Sequence, residues 1–193
     1  MLQRLYARAL EIAAGPNAIP ALVAVAFAES SFFPLPPDLL LIPMILARPR
    51  QAFRLAALAT IASVLGGLVG YAIGYFLFDA IGRPVLEFYN AMASYEALKA
   101  GFARWGVWII IIKGMTPIPY KLVTIASGVA HFPLVSFIGA SIVSRSLRFL
   151  MIAALLRWFG DAAREFIERR LTLVTSVFAV LLVGGIVAVA IYK

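Results

Sequence analysis

Residues 55–78, LAALATIASVLGGLVGYAIGYFLF, carry no charged side chain, and neither do residues 171–192, LTLVTSVFAVLLVGGIVAVAIY. A helix needs about 20 such residues to cross the hydrocarbon of a bilayer, so each stretch is long enough, and the solvent is fixed before any other question is asked. Composition agrees. The chain is 63% hydrophobic and 13% charged, where a soluble domain holds about half and a quarter, and its mean hydropathy is +0.98. The expectation is an all-α integral membrane protein with a single membrane domain over 1–193.

A third stretch, 134–156, is equally long but contains Arg145 and Arg148. Two further regions are apolar yet interrupted. Region 18–47 holds ESSFFPLPPDLL, with Pro34, Pro36 and Pro37; region 105–130 holds KGMTPIPYK, with Pro117 and Pro119. Proline lacks an N–H and clashes with the preceding turn, so a cluster of prolines ends a helix. Arms of about ten residues cannot cross alone, which predicts a re-entrant hairpin in each region; the alternative is kinked full spans. Non-helical backbone at that depth must be buried in protein or line a wet cavity. In the first span, Gly66, Gly70 and Gly74 recur every four residues and clear one helix face for close packing.

The two breaks resemble one another. A shift of 83 positions lays Pro34 and Pro36 on Pro117 and Pro119, Asp38 on Lys121, Ile42 on Ile125, Ala47 on Ala130 and Ser63 on Ser146. The order of parts repeats as well. Repeat 1 covers 18–104 (hairpin 18–47, span 55–78, an amphipathic segment 79–104 along the far surface). Repeat 2 covers 105–170 (hairpin 105–130, span 134–156, a solvated helical extension from 160). A hairpin does not cross and a span does, so the second repeat is expected to be inverted, a pattern typical of secondary transporters. Residues 171–193 add a terminal span. Residues 1–17 read as an amphipathic helix on the membrane interface rather than a signal peptide, or as the start of a first span.

Charge supplies the orientation. Arg4, Arg8, Arg48, Arg50, Arg54, Arg157, Arg164, Arg169 and Arg170 fall on one side and Arg83, Lys99 and Arg104 on the other. The positive-inside rule then places the N-terminus in the cytoplasm. The net charge of +8 is dispersed among apolar runs, so membrane lipids are the expected partners and nucleic acid is not. A homo-oligomer is compatible with this reading. The chain has no cysteine and one histidine, His131, which removes thiolate chemistry and any reaction needing two imidazoles. Membrane phosphatases of the two-histidine type are among the reactions removed. No catalytic residue, metal site or cofactor is expected, and the protein is read as a non-enzyme. His131 itself is read as the corner between hairpin and span. Trp105, Trp108 and Trp158 are read as interfacial anchors.

Ionisable groups inside a membrane mark function by default. The first break holds Glu29 and Asp38; the second holds Lys113 and Lys121; Arg145 and Arg148, three apart, share one face of their helix. The expectation is a shared cavity in which Lys113, Lys121, Arg145 and Arg148 bind an anionic substrate. A carboxyl group with little water around it can carry a proton as the neutral acid, so Glu29 and Asp38 are the proton-coupling candidates. The competing role is structural, with opposite charges neutralising each other and holding the hairpins together.

The motif Glu29-x-x-Phe-Phe-Pro-x-Pro-x-Asp38 and its counterpart Lys113-Gly-x-x-Pro-x-Pro-x-Lys121, followed by Ala126-Ser127-Gly128 and His131-Phe-Pro, resemble the DedA family of membrane proteins, also called the VTT or SNARE-associated superfamily. The resemblance covers about residues 18–160. It implies two opposed re-entrant hairpins and transport or scrambling of lipids, in bacteria the recycling of the polyprenyl-phosphate carrier, with proton coupling. The family's essential acids correspond to Glu29 and Asp38. Its second-motif basic pair, usually arginine, is here Lys113 and Lys121, and lysine meets phosphate as a point charge rather than a fork. The expected function is flipping of an anionic lipid, a polyprenyl phosphate (undecaprenyl phosphate) or a phospholipid, in a bacterial inner membrane. The alternatives are a proton- or cation-coupled carrier of a small solute, and a non-transporting assembly factor.

Overall fold

The computed structural model describes residues 15, 17–33, 35–88, 92–116 and 119–160. The expectations for residues 1–14, for the extension beyond 160, for the terminal span 171–193, and for Pro34 and Pro117 lie outside the described residues. Among the described residues there is no strand, and the all-helical expectation holds.

Two short helices flank the first break: α1 (Ala18–Ser31) and α2 (Asp38–Ala47). At about 1.5 Å per residue, neither reaches across roughly 30 Å of hydrocarbon. A 3₁₀ turn, Pro49–Gln51, leads into α3 (Ala52–Leu77). A π turn, Phe78–Gly82, then passes into α4 (Arg83–Phe88). Helix α5 (Met92–Met115) runs up to the second break, α6 (Tyr120–Val129) leads away from it, and α7 spans Leu134–Gly160. Among the described residues, two helices are long and apolar enough to cross a membrane, Pro49–Leu77 and Leu134–Gly160. They contain the expected spans 55–78 (but for its last residue) and 134–156. The boundary between the repeats, 104/105, falls inside the continuous α5.

Among the described residues, the buried apolar side chains form two clusters. The first gathers Leu22 and Ala26 of α1, Leu41 and Ile45 of α2, Leu55 and Ala59 of α3, and Phe149 and Ala153 of α7. The second gathers Tyr71 of α3, Phe102 and Ile110 of α5, Tyr120 and Val123 of α6, and Phe137 and Ala140 of α7. Helix α3 therefore runs from the first cluster to the second and α7 from the second to the first, in opposite senses. Between the clusters, along the same helices, lie the buried polar residues Glu29, Ser30, Ser63, Thr124, Ser141, Ser144 and Arg145. The outer surface is the reverse: Ile61, Leu65, Val135, Leu155 and Trp158 are exposed. An apolar exterior around a polar layer is what a lipid solvent selects.

The glycine repeat sets the distance between helices. A Cβ on Gly66 would lie 2.0 Å from the Phe27 carbonyl oxygen of α1, and one on Gly74 would lie 2.1 Å from the Ile125 carbonyl oxygen of α6. One on Gly70 would meet both neighbours, the Thr124 hydroxyl at 2.2 Å and the Ser30 carbonyl oxygen at 2.9 Å. The expected packing face is thus real, and it brings the two broken segments onto one helix. The corner at His131 is also as expected. Phe132 N–H donates to the Ser127 carbonyl and His131 N–H to the Gly128 carbonyl, a Schellman end to α6. His131 takes the left-handed position, φ 53°, where glycine is usual.

Candidate functional site at the meeting of the two breaks

Each break leaves a helix C-terminus with orphan carbonyls and a helix N-terminus with orphan N–H groups. Three of the side chains that meet them come from elsewhere in the chain. Glu29 Oε1 accepts the Tyr120 N–H at 2.9 Å, so an acid from the first break caps the helix that starts at the second. Lys121 Nζ donates to the Phe32 carbonyl at 3.4 Å, just past the C-terminus of α1. Arg148 Nη1 donates to the Thr116 carbonyl at 2.6 Å, just past the C-terminus of α5. Asp38 lies in the first turn of α2. Across the breaks, the carboxylates of Glu29 and Asp38 thus lie at the N-termini of α6 and α2, and the cations of Lys121 and Arg148 at the C-terminal ends of α1 and α5. This is the arrangement the helix dipoles favour, although Glu29 itself belongs to the last turn of α1 and Lys121 to the first turn of α6.

Helix α7 supplies the counter-ions. Arg145 Nη2 meets Glu29 Oε2 at 3.3 Å, and Arg148 Nη2 meets Asp38 Oδ2. Arg145 is 2% exposed, and its surroundings take the place of water on two of its donor nitrogens. Its Nε donates to Ser63 Oγ at 2.7 Å. Ser63 Oγ is 2.6 Å from Ser30 Oγ, which itself lies 3.2 Å from Glu29 Oε2. The guanidinium lies over the rings of Tyr120 and Phe149, at 4.7 and 4.6 Å, so aromatic faces take the place of water on a buried cation. Four helices, α1, α3, α6 and α7, contribute to this one charge.

The second pair is less enclosed. The Arg148 and Asp38 side chains are 18% and 20% exposed. Asp38 Oδ1 and Arg148 Nε are buried without a hydrogen-bond partner among the described residues. Such atoms are costly unless water or another ligand meets them.

Of the six ionisable candidates, the structure thus joins four as two acid–arginine pairs. Lys121 meets backbone instead of a carboxylate, and Lys113 is exposed with no side-chain partner among the described residues. Pro36, Pro37 and Pro119 lie in the non-helical breaks. Sequence reasoning missed Ser30, Ser63, Thr116 and Tyr120 as site residues. Only Ser63 carried a signal, as one of the positions matched by the 83-residue shift, and its counterpart Ser146 lines an apolar groove with Phe53, Leu150 and Trp158, away from the charged layer. Among the described residues no three His, Asp or Glu side chains converge to ligate a metal.

The chain is similar to known proteins. An uncharacterized protein of Haemophilus influenzae is 39% identical over 137 residues, 71% of each chain. An uncharacterized homologue in Histophilus somni is 36% identical over 136 residues, 70% of this chain and 71% of that one. No solved structure matches. The VTT domain matches residues 35–157, which takes in Asp38, both lysines and both arginines, and the chain therefore belongs to the VTT-domain (DedA) family of membrane proteins.

Proposed function

We propose that the protein carries an anionic lipid, a polyprenyl phosphate or a phospholipid, across a bacterial inner membrane, with proton coupling through Glu29 or Asp38. The observation that carries this reading is the charged layer between two apolar clusters, where both proline breaks end. Helix α1 leaves the first cluster, stops beside the polar layer, and α2 returns to the same cluster. Helix α5 leaves the second cluster, stops at the same layer, and α6 returns to the second. Two re-entrant hairpins from opposite membrane faces, with spans of opposite sense, account for that path; this is the inverted-repeat architecture in which transporters bind cargo at the midplane.

Orientation with the N-terminus in the cytoplasm rests on the charge asymmetry, and one contact supports it. Arg157, assigned to the same side as Arg48 and Arg50, donates to the Pro49 carbonyl at 2.9 Å.

The chemistry is binding rather than bond-making. Guanidinium and ammonium groups bind phosphate oxygens, the breaks contribute oriented backbone, and the acyl or prenyl tail stays in lipid against the apolar exterior. Lys113 and Lys121, which engage no carboxylate, give an anionic headgroup its first cations, and the arginines lie deeper. A carrier of this kind needs no catalytic residue and no cofactor.

The test is reconstitution. Proteoliposomes holding the folded protein are expected to flip a fluorescent or enzymatically trapped polyprenyl phosphate, faster with an inward proton gradient, and not to accumulate soluble ions. Absence of flipping by protein that melts cooperatively would overturn the reading. A second reading, an assembly factor, is favoured by the completeness of the Glu29–Arg145 pair. Folded Glu29→Gln and Lys121→Met proteins with full function in cells would support it.

A further inference from the structure

We propose that the two acid–arginine pairs divide the work: Arg148 exchanges Asp38 for the phosphate of the cargo, while Arg145 stays closed on Glu29 throughout. The division rests on the reading of the protein as a lipid-phosphate carrier and says which cation of that site does the exchanging. Two differences carry it. Glu29 has acceptor bonds on both oxygens, from Tyr120 N–H and from Arg145 and Ser30, and the Arg145 guanidinium lies over two rings and on Ser63. At 2% exposure, Arg145 offers a phosphate no edge that a ligand can reach. On Arg148, Nε and Nη2 form the edge that binds an oxyanion bidentately. Asp38 fills Nη2 with one oxygen, leaving Arg148 Nε and its own Oδ1 unmet among the described residues. A phosphate that accepts from both N–H groups completes what the carboxylate leaves half-made, and this pair is the one with access to solvent.

The exchange balances in charge. As the phosphate takes Nε and Nη2, Asp38 leaves Arg148 and binds one proton from water, becoming the neutral acid. No covalent bond to phosphorus forms or breaks. One negative charge replaces another beside Arg148, so an anion and a proton enter together. The charged groups around Asp38 are Arg148 and, within electrostatic reach on the same helix, Arg145. Glu29 of α1 stands beyond Arg145, Lys121 of α6 is held at Phe32, and the Lys113 side chain on α5 is exposed. With Glu29 committed to Arg145, Asp38 is the acid free to gain the proton.

Calorimetry on the detergent-purified full chain tests this with three probes: a short-chain prenyl monophosphate, dihexanoyl phosphatidic acid and inorganic phosphate. Titrations in two buffers of different ionisation enthalpy give the protons taken up per ligand. The unaltered protein is expected to take up about one. Asp38→Asn and Asp38→Ser are expected to take up none and to bind more tightly, because the charged competitor is gone. Glu29→Gln is expected to take up one still; should it not fold, Ser63→Ala replaces it with the same expectation. Proton uptake that persists in both Asp38 variants, or loss of binding in both, overturns the division. So does loss of uptake in a folded Glu29 or Ser63 variant. Binding of the lipid phosphates without uptake in the unaltered protein overturns the division alone. Binding of none of the three probes overturns the lipid-phosphate reading with it. Binding of inorganic phosphate alone, with uptake, leaves the exchange standing and overturns the lipid as its cargo.

Discussion

The Glu29–Arg145 and Asp38–Arg148 pairs hang from the same helix, three residues apart, and are built of the same chemistry, yet they differ in how completely they are closed. At Arg145, side chains from four helices converge on the charge, its Nε and Nη2 donors are engaged and the guanidinium faces two aromatic rings. At Arg148, one donor goes to a helix-end carbonyl, one to a carboxylate, and a third meets nothing described. Enclosure, not residue type, separates a strut from a switch. A closed pair is costly to open because each ion would be left without water or partner. A half-open pair can change partners because solvent and ligand reach it.

The largest effect that tests this contrast is expected from Arg145→Met. It strands the Glu29 carboxylate in the polar layer and removes the cation between Tyr120 and Phe149, a loss of roughly 3–5 kcal/mol. Thermal melting in detergent should show it as a large drop in Tm. The double change Glu29→Leu with Arg145→Met should recover much of that loss, since a buried pair replaced whole by apolar side chains is often near neutral. A double variant no more stable than the single one would break the idea that the pair acts as a closed unit.

Close approach is the second condition for closure. Gly66→Ala places a Cβ 2.0 Å from the Phe27 carbonyl oxygen, two residues before Glu29. Helix α1 must shift away from α3, separating Ser30 from Ser63, at a cost of about 1–3 kcal/mol from overpacking. Melting should register the loss, and crosslinking of paired cysteines introduced on α1 and α3 should register the shift. Unchanged stability would mean that the closed pair does not depend on the glycine face.

Asp38→Asn should do less to stability. The pair is partly wet and the amide can still accept from Arg148, so about 1 kcal/mol or less is expected. Melting of this variant beside Arg145→Met gives the contrast directly; equal losses would erase it.

How much of this was legible beforehand follows from what each residue type announces. A charge in an apolar run is conspicuous, so Glu29, Asp38, Arg145 and Arg148 could be read as one buried site. Their pairing could not. The 83-residue shift opposes Asp38 to Lys121, but it compares positions along the chain, whereas pairing follows which side chains project into the layer from a packed helix. Lys121, at the start of α6, meets the end of α1 instead. Serine is ordinary in membrane helices, so nothing marked Ser30 or Ser63 as the hydroxyls that relay between Glu29 and Arg145. The continuity of α5 was hidden for another reason: Glu96, Lys99 and Arg104 make its first half look like a surface segment, although Ala, Leu, Glu, Lys and Arg are strong helix formers that carry the helix unbroken into WGVWIIII. The proline breaks and the glycine face were legible because each acts on the backbone directly.

The smallest effect concerns the end of α6 away from both pairs. His131 holds the left-handed position of a Schellman turn, with φ 53°, where a side chain costs about 1 kcal/mol relative to glycine. It recovers part of that through the Tyr75 ring, 4.7 Å away, and an Nδ1 contact to the Val129 carbonyl at 3.1 Å. His131→Gly should therefore leave stability unchanged or raise it by up to about 1 kcal/mol. Proton uptake on phosphate binding should not move, because His131 is exposed and neither acid–arginine pair touches it. If uptake fell in this variant, the histidine would join Asp38 in handling the proton. The contrast between the two pairs would then no longer account for coupling by itself, since the proton would have a route through the far end of α6 and not only through the open side of Arg148.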